Sequence, residues 1–274
     1  MKILIAADME GITGVTNWDQ VDPNHAEYPR FRRLMTSDVN AAIRGVCDAG
    51  VKEILVTDGH DRGTNLLIEA LDPCAHLICG DYTPLAMLQG VDQGVDGVIF
   101  VGYHARAGSQ NAILDHTWSS KRVANLWLND ILVGEYGLNA ALAGHFNVPV
   151  LMLTGDQTAC AQACELLGNI ETVVVKTALS RMAAECLPPQ VTEERIQNAA
   201  SQAVKRLQAG DAPKPFVISP PVHVALDFNT SDQADQASLL PGSKRLDGRR
   251  LTFTADDMLA AYFAFQAAVA LVGI

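Results

Sequence analysis

Apolar runs of strand length alternate along this chain with segments of helical period. Ile3–Ala7 is continuously apolar, the pattern of a strand buried on both faces. Thr36-Ser37-Asp38 offers a helix start, and Val39, Ile43, Val46 and Cys47 then share one helical face before Gly50. Ile54–Thr57 reads as the next strand, Leu66–Leu71 as a short helix stopped before Pro73, and His76–Cys79 as a strand. Pro84–Gly90 reads as a helix opened by proline, and Val98–Val101 as another buried strand. Val123–Leu128 and Ile131–Val133 flank Asn129-Asp130 and predict a hairpin. Leu138–Phe146 predicts a helix, Val148–Leu153 a strand, Ala159–Leu167 a helix ended by Gly168, and Thr172–Lys176 a strand. The rhythm predicts an α/β fold, a mainly parallel sheet with helices on both faces.

Pro188-Pro189 interrupts that rhythm. Beyond it lie a long helix, Thr192–Gln208, strands at Phe216–Ser219 and Val222–Phe228, and a terminal helix from Ala255 to Val272. This predicts a smaller C-terminal α+β lobe. Residues 1–190 would form a metal-binding catalytic α/β domain and residues 191–274 the lobe, unless both belong to one compact domain.

The chemistry gathers where the early strands end. Asp8 and Glu10 follow the first strand two residues apart, so an extended backbone points them to one side, and Gly11 lets the chain turn there. His60 follows the second strand, His104 follows Val98–Val101, and Glu135 lies in Gly134-Glu135-Tyr136-Gly137. Each has an ordinary reading: a polar strand end, a loop histidine, a glutamate at a helix start. Their shared placement is what distinguishes them, because ligands of open α/β sheets collect outside the carboxyl ends of strands. Three carboxylates and two imidazoles suit Zn²⁺ or Mn²⁺. If they converge they repel one another without cations, and two divalent ions would settle the charge.

His116, between Asp115 and Thr117-Trp118, is a further candidate: a general base, a third imidazole ligand, or a hydrogen-bonded histidine beside Trp118. Asp58 could support His60 or bind metal itself. His25, His76, His145 and His223 lack such context and read as structural.

Composition narrows the function further. A net charge of −11 opposes nucleic acid and anionic membrane surfaces as partners. The 274 residues are 49% hydrophobic, ample for a core, and no apolar run is long enough to span a bilayer. The first apolar run is short and passes into charged residues, so it reads as a strand rather than a secretion signal, and a cytoplasmic location is expected. The six cysteines then read as structural thiols. GxxxxGK[ST], G-x-S-x-G and H-E-x-x-H are all absent. A two-metal hydrolase is the leading reading. A two-metal phosphoesterase or amidase is an alternative, although only Arg106, Lys121 and Arg122 lie near the candidates in sequence to meet a phosphate. A metal- or peptide-binding protein without turnover is the other.

Several segments together resemble the DppA-type zinc D-aminopeptidases. They are Asp8-Met9-Glu10-Gly11, Asp58 with His60, Gly102-Tyr103-His104-Ala105-Arg106-Ala107 and Gly134-Glu135-Tyr136-Gly137-Leu138-Asn139. Val148-Pro149-Val150 with Gly155-Asp156, and Lys176 with Ser180-Arg181, complete the likeness, which weakens after about residue 190. The resemblance implies two Zn²⁺ per subunit, with Asp8 bridging them, Glu10 and His104 completing one site, and His60 and Glu135 the other. It implies His116 as the catalytic histidine, and removal of N-terminal D-residues such as D-alanine from short peptides. It also implies a ring-like homodecamer. Ala6, Gly59 and Asp115 depart from residues common in the family, which affects the tuning of the pocket rather than its ligands.

Overall fold

The computed structural model describes residues 1–273. Its elements, in chain order, are β1 (Lys2–Ala7), α1 (Tyr28–Asp48), β2 (Glu53–Asp58), β3 (Ala75–Ile78), β4 (Gly97–Val101), β5 (Val123–Leu128) and β6 (Ile131–Val133). Then come α2 (Glu135–His145), β7 (Val150–Asp156), α3 (Gln157–Leu167), β8 (Glu171–Ser180), β9 (Ala183–Cys186) and α4 (Pro189–Gln208). The chain closes with β10 (Val222–Phe228), α5 (Ser231–Ala237), β11 (Lys244–Arg245), β12 (Arg250–Ala255) and α6 (Met258–Leu271).

A seven-stranded sheet runs β3-β2-β1-β4-β7-β8-β9. All its pairings are parallel except β8 with β9. Side-chain alternation along β1 sends Ile3, Ile5 and Ala7 to one face and Leu4 and Ala6 to the other. On the first face they meet Val39 and Ile43 of α1 and Ile196 and Ala200 of α4. The second face packs on α2, α3 and α6, including Leu138, Ala159 and Phe265. The second sheet is antiparallel, in the order β11-β12-β10-β5-β6. The expected α/β fold with helices on both faces and a smaller α+β lobe is therefore present, and the lobe's sheet borrows the β5–β6 hairpin from the first half of the chain. That hairpin, expected from the sequence, turns through Asn129 and Asp130, both left-handed at φ 46° and 66°. Among the described residues no helix is long and apolar enough to cross a membrane.

Several local expectations shift. α1 begins at Tyr28 with Pro29 in its first turn, not at Thr36. The polar trio is instead internal: Thr36 Oγ1 bonds back to the Arg32 carbonyl at 2.9 Å, and Asp38 caps the Thr13 amide at 2.8 Å. Leu66–Leu71 and Pro84–Gly90 form only single 3₁₀ turns, at Ile68–Ala70 and Ala86–Leu88. Phe216–Ser219 is irregular, and Ala255 closes β12 instead of opening α6.

The order of the first sheet reverses between β1, which continues to β2, and β4 on its other side. The crevice beyond their carboxyl ends is the ligand-binding place of such sheets. Two glycines let the backbones meet there. The Gly11 amide donates to the Gly102 carbonyl at 2.7 Å, and a Cβ on Gly11 would overlap the Tyr103 carbonyl. Gly11→Ala should therefore cost about 3 kcal/mol, because backbone rather than a side-chain tip must yield. Urea unfolding with matched metal content would measure it; a loss near zero would mean that the crossing is loose.

Candidate metal centre

Asp8, Glu10, His60, His104, His116 and Glu135 converge in that crevice, all buried. The Asp8 amide bonds the Val101 carbonyl at 2.9 Å and the Gly59 amide bonds the Ala7 carbonyl at 2.8 Å, so the three strand ends β1, β2 and β4 are stitched together. Glu135 arrives from the start of α2, directly after the hairpin.

Each imidazole is held by one ring nitrogen and presents the other. His60 donates from Nε2 to the Val21 carbonyl at 2.9 Å, His104 from Nδ1 to the Ala105 carbonyl at 3.0 Å, and His116 from Nδ1 to the Leu114 carbonyl at 2.8 Å. A carbonyl can only accept, so the tethered nitrogen carries the hydrogen and the free one can offer a lone pair. The free nitrogens all face carboxylates. His60 Nδ1 lies 3.1 Å from Glu10 Oε2 and 3.5 Å from Asp8 Oδ1. His104 Nε2 lies 3.0 Å from Glu135 Oε1 and 3.4 Å from Asp8 Oδ2. His116 Nε2 lies 3.5 Å from Glu135 Oε1 and 4.0 Å from Glu10 Oε1. Asp8 is thus the shared member, with one oxygen towards each of His60 and His104. The shortest approaches pair Glu10 with His60 and Glu135 with His104, across the division that the resemblance implies, while Asp8, Glu10 and His104 also place ligand atoms within 4.8 Å of one another.

The electrostatics explain what this cluster lacks. Burial, with the charge of Glu10 beside it, pushes Asp8 up to about 7. Burial also works against ionised Glu10 and Glu135, but His60 outweighs it at Glu10 and His104 at Glu135, and both carboxyls are lowered. Burial would neutralise His60 and His104, yet Glu10 lifts His60 well above its usual range and Glu135 lifts His104 to about 10. The imidazoles and carboxylates thus stabilise one another's charged forms. Within the cluster, Asp8 Oδ2, Glu10 Oε2 and His104 Nε2 nevertheless make no well-aligned hydrogen bond, although each lies 3.0–3.4 Å from an oppositely charged neighbour. Buried polar atoms without good hydrogen bonds are costly. A divalent ion among oxygen and imidazole donors would satisfy all three, so the residues fit metal.

His116 differs from the other two. It is lowered, first by burial and then by the charge of His104, on which it stacks at 3.9 Å with an interplanar angle of 8°. Its loop is strained, with Leu114 and Trp118 at φ 49° and 64°. The adjacent Asp115 does not touch the imidazole, as its place in the sequence suggests it could. Its Oδ1 takes Arg181 Nε at 2.8 Å and its Oδ2 takes the Gly108 amide at 2.7 Å. Arg181 also donates to the Asp115 carbonyl at 3.0 Å and lies over Trp18, whose ring meets His116 edge-on at 5.5 Å.

Asp58 is a support and not a ligand. Its oxygens accept from the Asn65 and Leu66 amides and the Asn65 side chain, and Asn65 also holds the His60 carbonyl. Lys176 is buried beneath the cluster, where Nζ donates to the Glu10, Ile12 and Val15 carbonyls at 2.6–2.8 Å. Burial pushes it down to about 8, against the pull of Asp156. His25 and His223 lie apart, paired with Asp19 and Thr254. Trp18 and the Leu114 carbonyl carry no signal in the sequence, because spacing cannot show which loop folds over which. All six cysteines are free.

Comparison with known proteins places this geometry. A family model described as D-aminopeptidase matches residues 1–267. A D-aminopeptidase of Bacillus subtilis is 39% identical over 265 residues, covering 96% of this chain and 95% of the relative. A solved structure superposes with a TM-score of 0.95 at 37% identity, covering 99% of this chain and 98% of that one. It is the Zn-dependent D-aminopeptidase DppA from Bacillus subtilis, described as a self-compartmentalizing protease.

Proposed function

We infer the reaction from one premise: this chain belongs to the D-aminopeptidase family. It is a two-zinc aminopeptidase that removes N-terminal residues, D-alanine among them, from short peptides. The observation that carries this reading is that Asp8, Glu10 and His104 bring ligand atoms within 4.8 Å of one another, buried and without well-aligned hydrogen bonds.

Asp8, Glu10, His60, His104 and Glu135 would hold the two ions, with Asp8 shared. Bound there, the ions supply a Lewis acid for the scissile carbonyl and lower the pKa of water. The remaining work falls to the chain. The Leu114 carbonyl fixes His116 Nδ1–H, so Nε2 faces the cleft as a base. From there Nε2 can take a proton from attacking water and return it to the leaving amine. Trp18 and Trp118 line the cleft.

Arg181 acts through the His116 loop, by gripping Asp115 from both its carboxylate and its carbonyl. Arg181→Ala should lower kcat about tenfold with KM changed less than about twofold, and Arg181→Lys should recover part of the loss. Equal loss in kcat and KM would assign Arg181 to substrate binding instead.

The decisive assay sets D-alanine p-nitroanilide beside its L-isomer and p-nitrophenyl phosphate, with zinc-loaded protein. Release from the D-anilide alone supports the reading; phosphate ester cleavage alone would replace it with a phosphoesterase. Assembly into a homo-oligomer follows the self-compartmentalizing relative, with a decamer in the cytoplasm as the finer expectation. Light scattering on the eluted protein separates a decamer from smaller rings.

A further inference from the structure

A second cavity adjoins the metal cleft. It measures 590 Å³ beside 550 Å³ for the cleft, and Gly59, Asp61, Trp118, Ser119 and Glu135 form the shared wall. Both have carboxylates in their walls, and the two differ in their cations. The cleft is lined by Asp8, Glu10, Asp22, Asp61 and Glu135, holds no arginine and has Lys121 at its edge. The adjoining cavity presents Arg62 and Arg122. Among the described residues neither guanidinium is in an ion pair, whereas Arg181, Arg206 and Arg250 are each fixed on an aspartate. Four acids also line it, of which the exposed Asp61 belongs to the wall shared with the cleft and the other three are already hydrogen-bonded. Asp58 accepts from Asn65 and Leu66, Asp81 from the Tyr82 amide, and Glu135 from the Trp118 amide. Ala267 and Ala270 of helix α6 also line it, small side chains that leave room in the cavity.

We propose that this second cavity is the subsite for the free α-carboxylate of the substrate, anchored by Arg122 and Arg62, and that it selects very short peptides. The proposal rests on the aminopeptidase reading and names its substrate class. A dipeptide is charged at both ends, and two extended residues span about 7 Å. Its ammonium suits Asp22 and Asp61, the carboxylates of the cleft that the two ions would leave free. Its carboxylate needs forked donors, which only the arginines beyond the Glu135 wall provide. The scissile bond then lies beside that wall, between the two charges. A longer peptide would carry its carboxylate past the arginines and lose the anchor.

The test compares kcat/KM of the zinc-loaded enzyme on D-Ala-D-Ala and on its C-terminal amide. The wild type should prefer the free acid. Arg122→Gln, and more so Arg62→Gln with Arg122→Gln, should reduce that preference about tenfold, through KM for the free acid. The amide reports on folding and chemistry in the same protein. An unchanged preference in the double variant, or a wild type that cleaves both equally, overturns the subsite while leaving the aminopeptidase intact. If the wild type releases no alanine from either, the aminopeptidase reading fails and the subsite falls with it.

Discussion

Replacing His116 with alanine should lower kcat by on the order of 10³-fold while the purified protein still carries about two zinc ions per chain. The asymmetry follows from how the histidine is placed. His60 and His104 each have a free nitrogen within 3.5 Å of Asp8, so both face the carboxylate that the ions would share. His116 reaches only Glu135 at 3.5 Å and Glu10 at 4.0 Å, and it stands on the outer side of His104. Removing it leaves the five proposed ligands and their backbone tethers untouched. The chemical step loses its base, and the residual rate comes from the metal ions and the cleft alone. Elemental analysis beside steady-state kinetics checks both halves. His104, His116 and Glu135 can also be gathered around one ion, and that arrangement makes the opposite prediction. If His116→Ala loses an ion along with its activity, the imidazole is a ligand and the base must be sought elsewhere.

The parts of the site that the sequence revealed are those in which one short segment contains both the element and the chemistry. Ile3–Ala7 is apolar enough to be a buried strand, and Asp8 and Glu10 follow it at the one spacing that points both to the same side. His104 after β4 is the same case. The parallel rhythm then implies that these ends share a crevice. What stayed hidden belongs to contacts between distant segments. Arg181 sits at the tip of the β8–β9 hairpin, 66 residues from Asp115 in sequence, and no local pattern links them. Asp115 next to His116 suggested direct orientation, but the orienting acceptor is a backbone carbonyl, and every residue has one. Lys176 looks like the polar end of a strand until three carbonyls from the Glu10 turn are found around it. Element boundaries failed for a related reason. Thr36-Ser37-Asp38 resembles a helix start, but its hydroxyl and carboxyl groups found partners inside the fold, and α1 runs on through it from Pro29.

Asp8→Asn should cost more activity than the loss of His116, and should do so by releasing metal. Asp8 Oδ1 faces His60 and Oδ2 faces His104, so a single carboxylate serves both halves of the cluster. An amide offers one neutral oxygen where the cluster needs two anionic ones, and the bound zinc should fall from about two ions to less than one per chain. Turnover should then drop below that of His116→Ala, because both the electrophile and the acidified water depend on the ions. Stability separates this from general damage. Ligand binding stabilises a fold by RT ln(1 + [L]/Kd), about 2.7 kcal/mol at a hundredfold excess over Kd, and the variant forfeits that in zinc-containing buffer. In chelator the difference should nearly vanish. Without metal, burial and Glu10 raise Asp8 and so favour its uncharged form, which asparagine imitates. Thermal melts of both proteins with zinc and with chelator give the four values required. A deficit of equal size in both buffers would make Asp8 a structural carboxylate; a variant that retains two zinc ions would remove it from the ligand set.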